Sequence, residues 1–470
     1  MGFFSRKPAP WPADALLCLN DTDYITLHQM YEGVLGMGAV GSGKSTVLAH
    51  LQAALMARGA GMVILTASES DYPQIQKMAE QLGREDDLIR FAPGEGWRFD
   101  FLNWMLDNGS VAEACQVMQD LVDFSSRMDS SKSSEPFWTL AAARMCRMAI
   151  TMIHYAAECC SVADIYDFII SMPKTREDVL SEKLADSFCG RCLLEAKRKP
   201  HHPDVTLAAE YVLDEFPTLS ERTGPGIVAQ VMNVLEKFMH GTPRELFASG
   251  DTNVSPYALD EGKIIAIDMP VLKDREPGRF GQLIWKVLTQ RYALKRPMTP
   301  DSRDIVLWMD EAQLHALANV DSQTQAVARK HRLIQVAITQ NIPLLVSTLK
   351  NKEDATAWIG NLQTKFLFAN GDNETNKFFS EMFGQKKQLF MNISQNQEST
   401  DPFSDIMGDY KPASFSMNEQ MKPEVRQERF LTFRKGGKEN NFLVDCIVVQ
   451  GGRRFSNGKP WIATTIRQRI

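Results

Sequence analysis

Gly38-Ala39-Val40-Gly41-Ser42-Gly43-Lys44-Ser45 follows an apolar run, YEGVLGMG (31–38), and leads into STVLAHLQAALMARG (45–59), which has helical patterning. This is G-x-x-x-x-G-K-[ST] in the strand–loop–helix setting its mechanics require. The glycines let backbone N–H groups curl around a β-phosphate. Lys44 reaches the β/γ oxygens, Ser45 coordinates Mg²⁺, and the helix N-terminus adds positive potential. Gly38, Gly41, Ser42, Gly43, Lys44, Ser45 and Thr46 are therefore the expected nucleotide-binding residues, with ATP and Mg²⁺ as the cofactors. A chance glycine-rich turn would lack both flanks.

Such a loop needs an acidic partner delivered by a strand at the same sheet edge. Two stretches offer one: YVLDEFP (211–217) and IVLWMDEAQ (305–313). The second supplies five consecutive apolar residues before Asp310 and Glu311, enough for a strand in the middle of a sheet. In TLAAEYVLDEFP the run is interrupted by Glu210, and Ala208, Ala209, Tyr211 and Val212 suit a helix that stops before Pro217. Asp310 is thus expected in the Mg²⁺ shell and Glu311 as the group that polarises the attacking water, with Asp214 and Glu215 on a solvated helical face. The run LIQVAITQ (333–340) ends in Gln340, which can reach the γ-phosphate or that water. Arg329 and Arg332 stand at the start of the same run, where their heads can face a neighbouring subunit. A transition state that is mostly positioning and charge stabilisation gains greatly from such an arginine.

The remaining apolar runs place the site in a fold. GMVILTA (61–67) and DLIRFAP (87–93) belong to a first block; KIIAIDMP (263–270), DIVLWMDE (304–311), LIQVAITQ and KFLFAN (365–370) form a second. Runs apolar throughout, alternating with helical patterns, indicate a parallel sheet covered on both faces. Residues 103–250 show only helical periodicity, as in VAEACQVMQDLVDF and GIVAQVMNVLEKFM. The expected organisation is an α/β nucleotide-binding domain, 1–102 with 251–470, interrupted by an all-α domain at 103–250. The tail from about 425 (RFLTFRKGG, NFLVDCIVV, WIATTIRQRI) reads as strands packed on the sheet's edge. The polar patches 125–136 and 394–405 read as loops.

Bulk properties narrow the function classes. The 470 residues suit two domains or one with a large insertion. A net charge of −6 gives no global attraction to nucleic acid, so phosphate contact must come from local clusters such as Lys197-Arg198-Lys199, Arg434-Lys435 with Lys438, and Arg453-Arg454. Eight scattered cysteines and the lack of a signal-peptide pattern point to a reducing cytoplasm. Cys189-Gly-Arg-Cys192 with His201-His202 has only partial zinc spacing. The most apolar stretch, 141–160, contains Arg144, Arg147 and His154 and reads as a buried helix rather than a membrane span.

Taken in order, GAVGSGKST, DDLIRFAP with WRFDFLNW, EPFW, WMDEAQ, ARKHR, VAITQN and KFLFANGDNETNKFFSEMFG resemble the HerA/FtsK superfamily of ring ATPases, and within it the conjugative type IV secretion coupling proteins of the TraG/TraD kind. The resemblance spans most of the chain. It implies a RecA-like P-loop motor core with an all-α insertion, hexamers, and ATP-driven passage of DNA through a central pore. Lys44, Ser45, Asp310, Glu311, Arg329 and Gln340 fall on the family's functional positions. Relatives carry N-terminal membrane helices, for which a loop beginning at residue 38 leaves no room, and often a lysine near Ser68, where this chain has Glu69. DNA, further copies of the chain, and a relaxase, nuclease or secretion-channel protein are the implied partners. Two other classes fit the same motifs: an ATPase that remodels or secretes a protein cargo, and a nucleotide-gated assembly scaffold.

Overall fold

The computed structural model describes residues 12–128, 136–394 and 414–469. Two short strands, Ala15–Cys18 (β1) and Tyr24–Thr26 (β2), pair as an antiparallel hairpin that the sequence did not announce. The seven expected runs all form strands: Val34–Met37 (β3), Gly61–Leu65 (β4), Leu88–Phe91 (β5), Ile264–Ile267 (β6), Ile305–Met309 (β7), Leu333–Thr339 (β8) and Thr364–Leu367 (β9). Then come a long antiparallel ribbon, Gln385–Ser394 (β10) with Ser414–Pro423 (β11), and two final strands, Leu443–Gln450 (β12) and Trp461–Arg467 (β13).

Nine of these make one sheet in the order β13-β12-β9-β3-β8-β7-β4-β6-β5. From β9 to β5 every pairing is parallel; β12 runs antiparallel to β9, and β13 antiparallel to β12. The two blocks of runs, far apart in sequence, interleave in space, since β6 lies between β4 and β5 while β7 and β8 separate β4 from β3.

Strand alternation explains the two-sided burial. Ile305, Leu307 and Met309 of β7 face one hydrophobic core, and Val306 and Trp308 face the other. The second core lies under the phosphate helix Lys44–Ala57, through Val47, Leu48 and Leu51. The first continues into the helices between β5 and β6, from Phe101–Asn108 to Gly241–Phe247. Within the first core Trp285 links the sheet to the helical stretch, with its ring 5.1 Å from Phe91 of β5 and 4.7 Å from Phe99. Among the described residues no helix is long and apolar enough to cross a membrane.

Part of the expected tail is different. Residues 429–437 do not form a strand; Gln427–Leu431 is a short 3-10 turn, and only Lys435 makes a bridging pair, with Val444. β12 is paired along one side to β13 and, over Ile447–Gln450, to β9 on the other, so only its first half is open on that side, and pairing there is limited to that bridge. Phe430 instead buries among Phe379, Phe383 and Phe433. Of the two polar patches, 125–128 is the end of the helix Val111–Met128, whereas 129–135 and 395–405 lie outside the described residues.

One buried polar network interrupts the first core. Lys286, 0% exposed, donates to the Asp321 carboxylate at 2.6 Å and to the His315 carbonyl at 2.7 Å. Gln290 donates to Asp321 (3.0 Å) and Gln335 (2.7 Å), and Gln335 to Gln325 (3.0 Å). Burial pushes the Lys286 amine below its usual range, opposed by Asp321. Lys286→Met is expected to destabilise the fold by about 3–5 kcal/mol, because it leaves a carboxylate uncompensated at depth. Lys286→Met/Asp321→Leu should recover much of that loss in urea unfolding; an equally unstable double variant would count against this account.

Candidate active site

The phosphate loop is shaped by two contacts that only glycine permits. Gly43 has φ 84°, and a Cβ there would lie 2.5 Å from Val444 of β12. A Cβ on Gly38 would lie 2.6 Å from Phe368 and 2.7 Å from Ser42 Oγ. The loop is held to the sheet by Ala39 N–H donating to the Ala369 carbonyl at 2.8 Å and Gly38 N–H to the Thr339 carbonyl at 3.3 Å. Inside it, Ser42 Oγ is buried with no hydrogen-bond partner among the described residues. Lys44 is 6% exposed and its Nζ folds back to the Ala39 carbonyl at 3.4 Å. A buried hydroxyl without a partner, next to an ammonium held only by its own loop, is a cradle chemically suited to an anion. Thr46 faces elsewhere: its hydroxyl donates to the Gly43 carbonyl at 3.0 Å and accepts from Gln468 at 2.8 Å, tying the chain's last strand to the helix start.

The acidic pair arrives at the same edge. Ser45 Oγ donates to Asp310 Oδ2 at 3.1 Å, bringing together the two residues expected to share a cation. Burial, with Asp71 and Glu311 nearby, pushes the Asp310 carboxyl up to about 6. An acid crowded by acids and facing a hydroxyl is where a divalent cation fits. Glu311 has φ 50°, a left-handed conformation that costs a non-glycine residue roughly 1 kcal/mol or more and clusters at functional sites.

Because β8 lies between β3 and β7, Gln340 at its end stands between the phosphate loop and the acidic pair. It donates to both Glu311 oxygens, at 3.1 and 3.2 Å. One residue the sequence reading passed over completes the clamp. Gln313 donates to Glu311 Oε2 at 2.7 Å and accepts from Thr339 Oγ1 at 2.7 Å. The signal was present as the polar residue two positions past Glu311, but its second partner, Thr339, is distant in sequence. Asp71 was also missed; it accepts from the Ala67 and Ser68 amides (2.7 and 2.8 Å) and braces the turn after β4. Glu69 is exposed on that turn.

Asp214 and Glu215 lie far from this edge in the chain's helical stretch. They occupy a π-helical turn, Tyr211–Glu215, which prolongs Pro203–Glu210 instead of ending it, and Glu215 takes a bidentate ion pair from Arg144 at 2.5 and 2.6 Å. The helical run therefore ends at Glu215, before Pro217 as expected, and a short 3-10 turn, Phe216–Thr218, follows it. Cys189 and Cys192 are buried, and burial pushes their thiols up to about 12 and about 11, the reverse of what a metal ligand needs.

Arg329 is 57% exposed and ion-paired to Glu32 at 3.2 Å. It precedes β8, whereas Gln340 follows it. Seven strand residues at about 3.3 Å each separate the two ends by about 20 Å, several times an arginine's reach. Arg332, at φ 49°, spends its guanidinium on the Ser302 carbonyl.

The fold and this edge define a RecA-like P-loop NTPase core with an all-α stretch between its two nucleotide motifs. Residues 304–432 match the family described as the TraM recognition site of TraD and TraG. In structure the chain is similar to the bacterial conjugative coupling protein TrwBdeltaN70, with TM-score 0.62 and 15% identity over 98% of this chain and 90% of that one. A TrwB structure in complex with ADP and Mg²⁺ gives 0.63 and 14%, over 98% and 90%. VirB4 of Thermoanaerobacter pseudethanolicus gives 0.52 and 12%, over 97% and 96%. No curated protein sequence matches the chain. The likeness to coupling proteins of the TraG/TraD kind thus extends from the motifs to the whole fold.

Proposed function

We propose that this chain is an ATP-hydrolysing motor that moves DNA in conjugative transfer or a related mobile-element system, working as a closed ring of copies. The observation that carries the reading is the convergence of Ser42, Lys44, Ser45, Asp310, Glu311 and Gln340 on one sheet edge, within a fold shared along its length with a coupling protein. ATP would lie with its phosphates in the 38–45 loop, and Ser45 and Asp310 would hold Mg²⁺, which neutralises charge on the β and γ oxygens. Lys44 leaves the Ala39 carbonyl for the phosphate. Glu311, oriented by Gln313 and Gln340, would accept a proton from the attacking water, and Gln340, standing between the phosphate loop and the acidic pair, would sense whether a γ-phosphate is present.

Arg329 cannot reach the phosphates of its own subunit across the length of β8. Its exposed head supports a role in the neighbour's site, which makes a heterologous ring, a hexamer in our reading, the active form. The motor is placed in the cytoplasm and meets any membrane channel through a partner such as a relaxase or channel component. The test is ATP turnover with and without DNA. Hydrolysis should rise with DNA of any sequence, and DNA binding should fall by about 10³-fold or more between 50 and 200 mM salt if six or more phosphates are contacted. Salt-insensitive or strongly sequence-selective binding would remove the DNA-motor reading while leaving the ATPase intact.

A further inference from the structure

An apolar concavity lies away from the nucleotide edge, among the short helices Arg176–Leu180, Lys183–Asp186, Phe188–Arg198 and Pro203–Glu210. Its volume is about 610 Å³. The sequence of the third helix, FCGRCLLEAKR, explains how it forms. Small residues, Cys189, Cys192 and Ala196, turn inward, and Gly190 lets the helix lie against the Leu184 carbonyl, where a Cβ would clash at 1.8 Å. The pair Cys189/Cys192 is thereby accounted for as packing. Leu193, Leu194 and Lys197 are left to the concavity, whose floor includes Met152, Val205 and Leu213.

Two features say what fits there. The apolar surface does not stop inside the cavity: Leu194, which lines it, is still 47% exposed. A small molecule contained in the cavity would leave the outer side of Leu194 in water, whereas a longer amphipathic segment would cover it. The charged side chains that line it, Lys197 and Lys199, are both basic, with His201 and His202 beside them and no carboxylate among the lining residues. Lys199 is paired with Glu158 at 2.9 Å, so Lys197 offers the open positive charge.

We infer that this groove docks an acidic amphipathic helix of a partner protein, with leucine-type side chains in the concavity and carboxylates toward Lys197 and His201. The inference does not depend on the ATPase reading. It is tested on the full chain by fluorescence anisotropy with a labelled helical peptide carrying leucines on one face and glutamates on the other, and with a twin in which lysine replaces every glutamate. The acidic peptide should bind at least about tenfold more tightly than its twin. Leu194→Glu should weaken it by about tenfold or more, and Leu207→Glu, at an exposed position outside the lining, should not. Lys197→Glu should erase the preference between the peptides. ATP turnover should be unchanged in all three variants, and Glu311→Gln protein should bind the peptide normally, which separates this proposal's failure from that of the motor reading. Equal binding of both peptides, or indifference to Leu194→Glu, would overturn it. So would conversion of an assembly to monomers by Leu194→Glu, which would make the groove a contact between copies.

Discussion

Glu311→Gln is expected to lower ATP hydrolysis by about 10²–10⁴-fold, the range supplied by a positioned general base, while ATP remains bound and unhydrolysed. The substitution is conservative in space. A glutamine carbonyl oxygen can still accept from Gln340 and Gln313, which now hold the carboxylate at 3.1–3.2 and 2.7 Å, so the geometry survives and the proton acceptor is lost. Lys44→Ala should differ in kind, weakening nucleotide binding itself, because the loop then loses the ammonium that stands beside the Ser42 hydroxyl, which has no hydrogen-bond partner among the described residues. Glu215→Gln should turn over normally; its carboxylate serves the Arg144 ion pair on an exposed helical face. The measurements are steady-state turnover and equilibrium binding of labelled ATP. An inactive Glu215→Gln beside a normal Glu311→Gln would reverse the choice between the two acidic pairs.

The second large effect concerns assembly. Arg329→Ala is expected to cost about 10³–10⁵-fold in turnover, as loss of an arginine finger does, although the residue stands about 20 Å from its own Gln340 by strand length. Its present partner, Glu32, lies beside it at 3.2 Å and would be exchanged for a phosphate of the adjoining subunit. Arg332→Ala should act weakly by comparison, since that side chain is tied to the Ser302 carbonyl of its own chain. Mixing Arg329→Ala with Lys44→Ala protein, each inactive alone, should restore activity: in randomly mixed rings about a quarter of sites pair an intact Lys44 with an intact neighbouring Arg329. No rescue in rings shown by mass to be mixed, or full activity from a strict monomer, would sink the trans-acting role.

The sequence by itself determined the strands, the helical interval and the chemistry-bearing pairs, because each is written in local order. The unbroken apolar run IVLWM, the glycines and lysine of 38–45, and the interruption at Glu210 need no knowledge of distant residues. Only the tertiary structure decided which strand lies beside which. That β8 sits between β3 and β7, so that Gln340 meets Glu311 and Thr339 meets Gln313, follows from long-range packing of two faces at once. The same holds for the element that departs from its reading: residues 429–437 have strand-like composition, but Phe430 is drawn into the cluster of Phe379, Phe383 and Phe433, and only Lys435 pairs with β12. Gln335 likewise is tolerated inside an apolar strand because Gln290 and Gln325 satisfy it. A side chain's propensity is local, but its partners are chosen by the whole fold, and in this protein the clamp on Glu311, the isolation of Arg329 from its own site and the groove around Leu194 are all matters of partners.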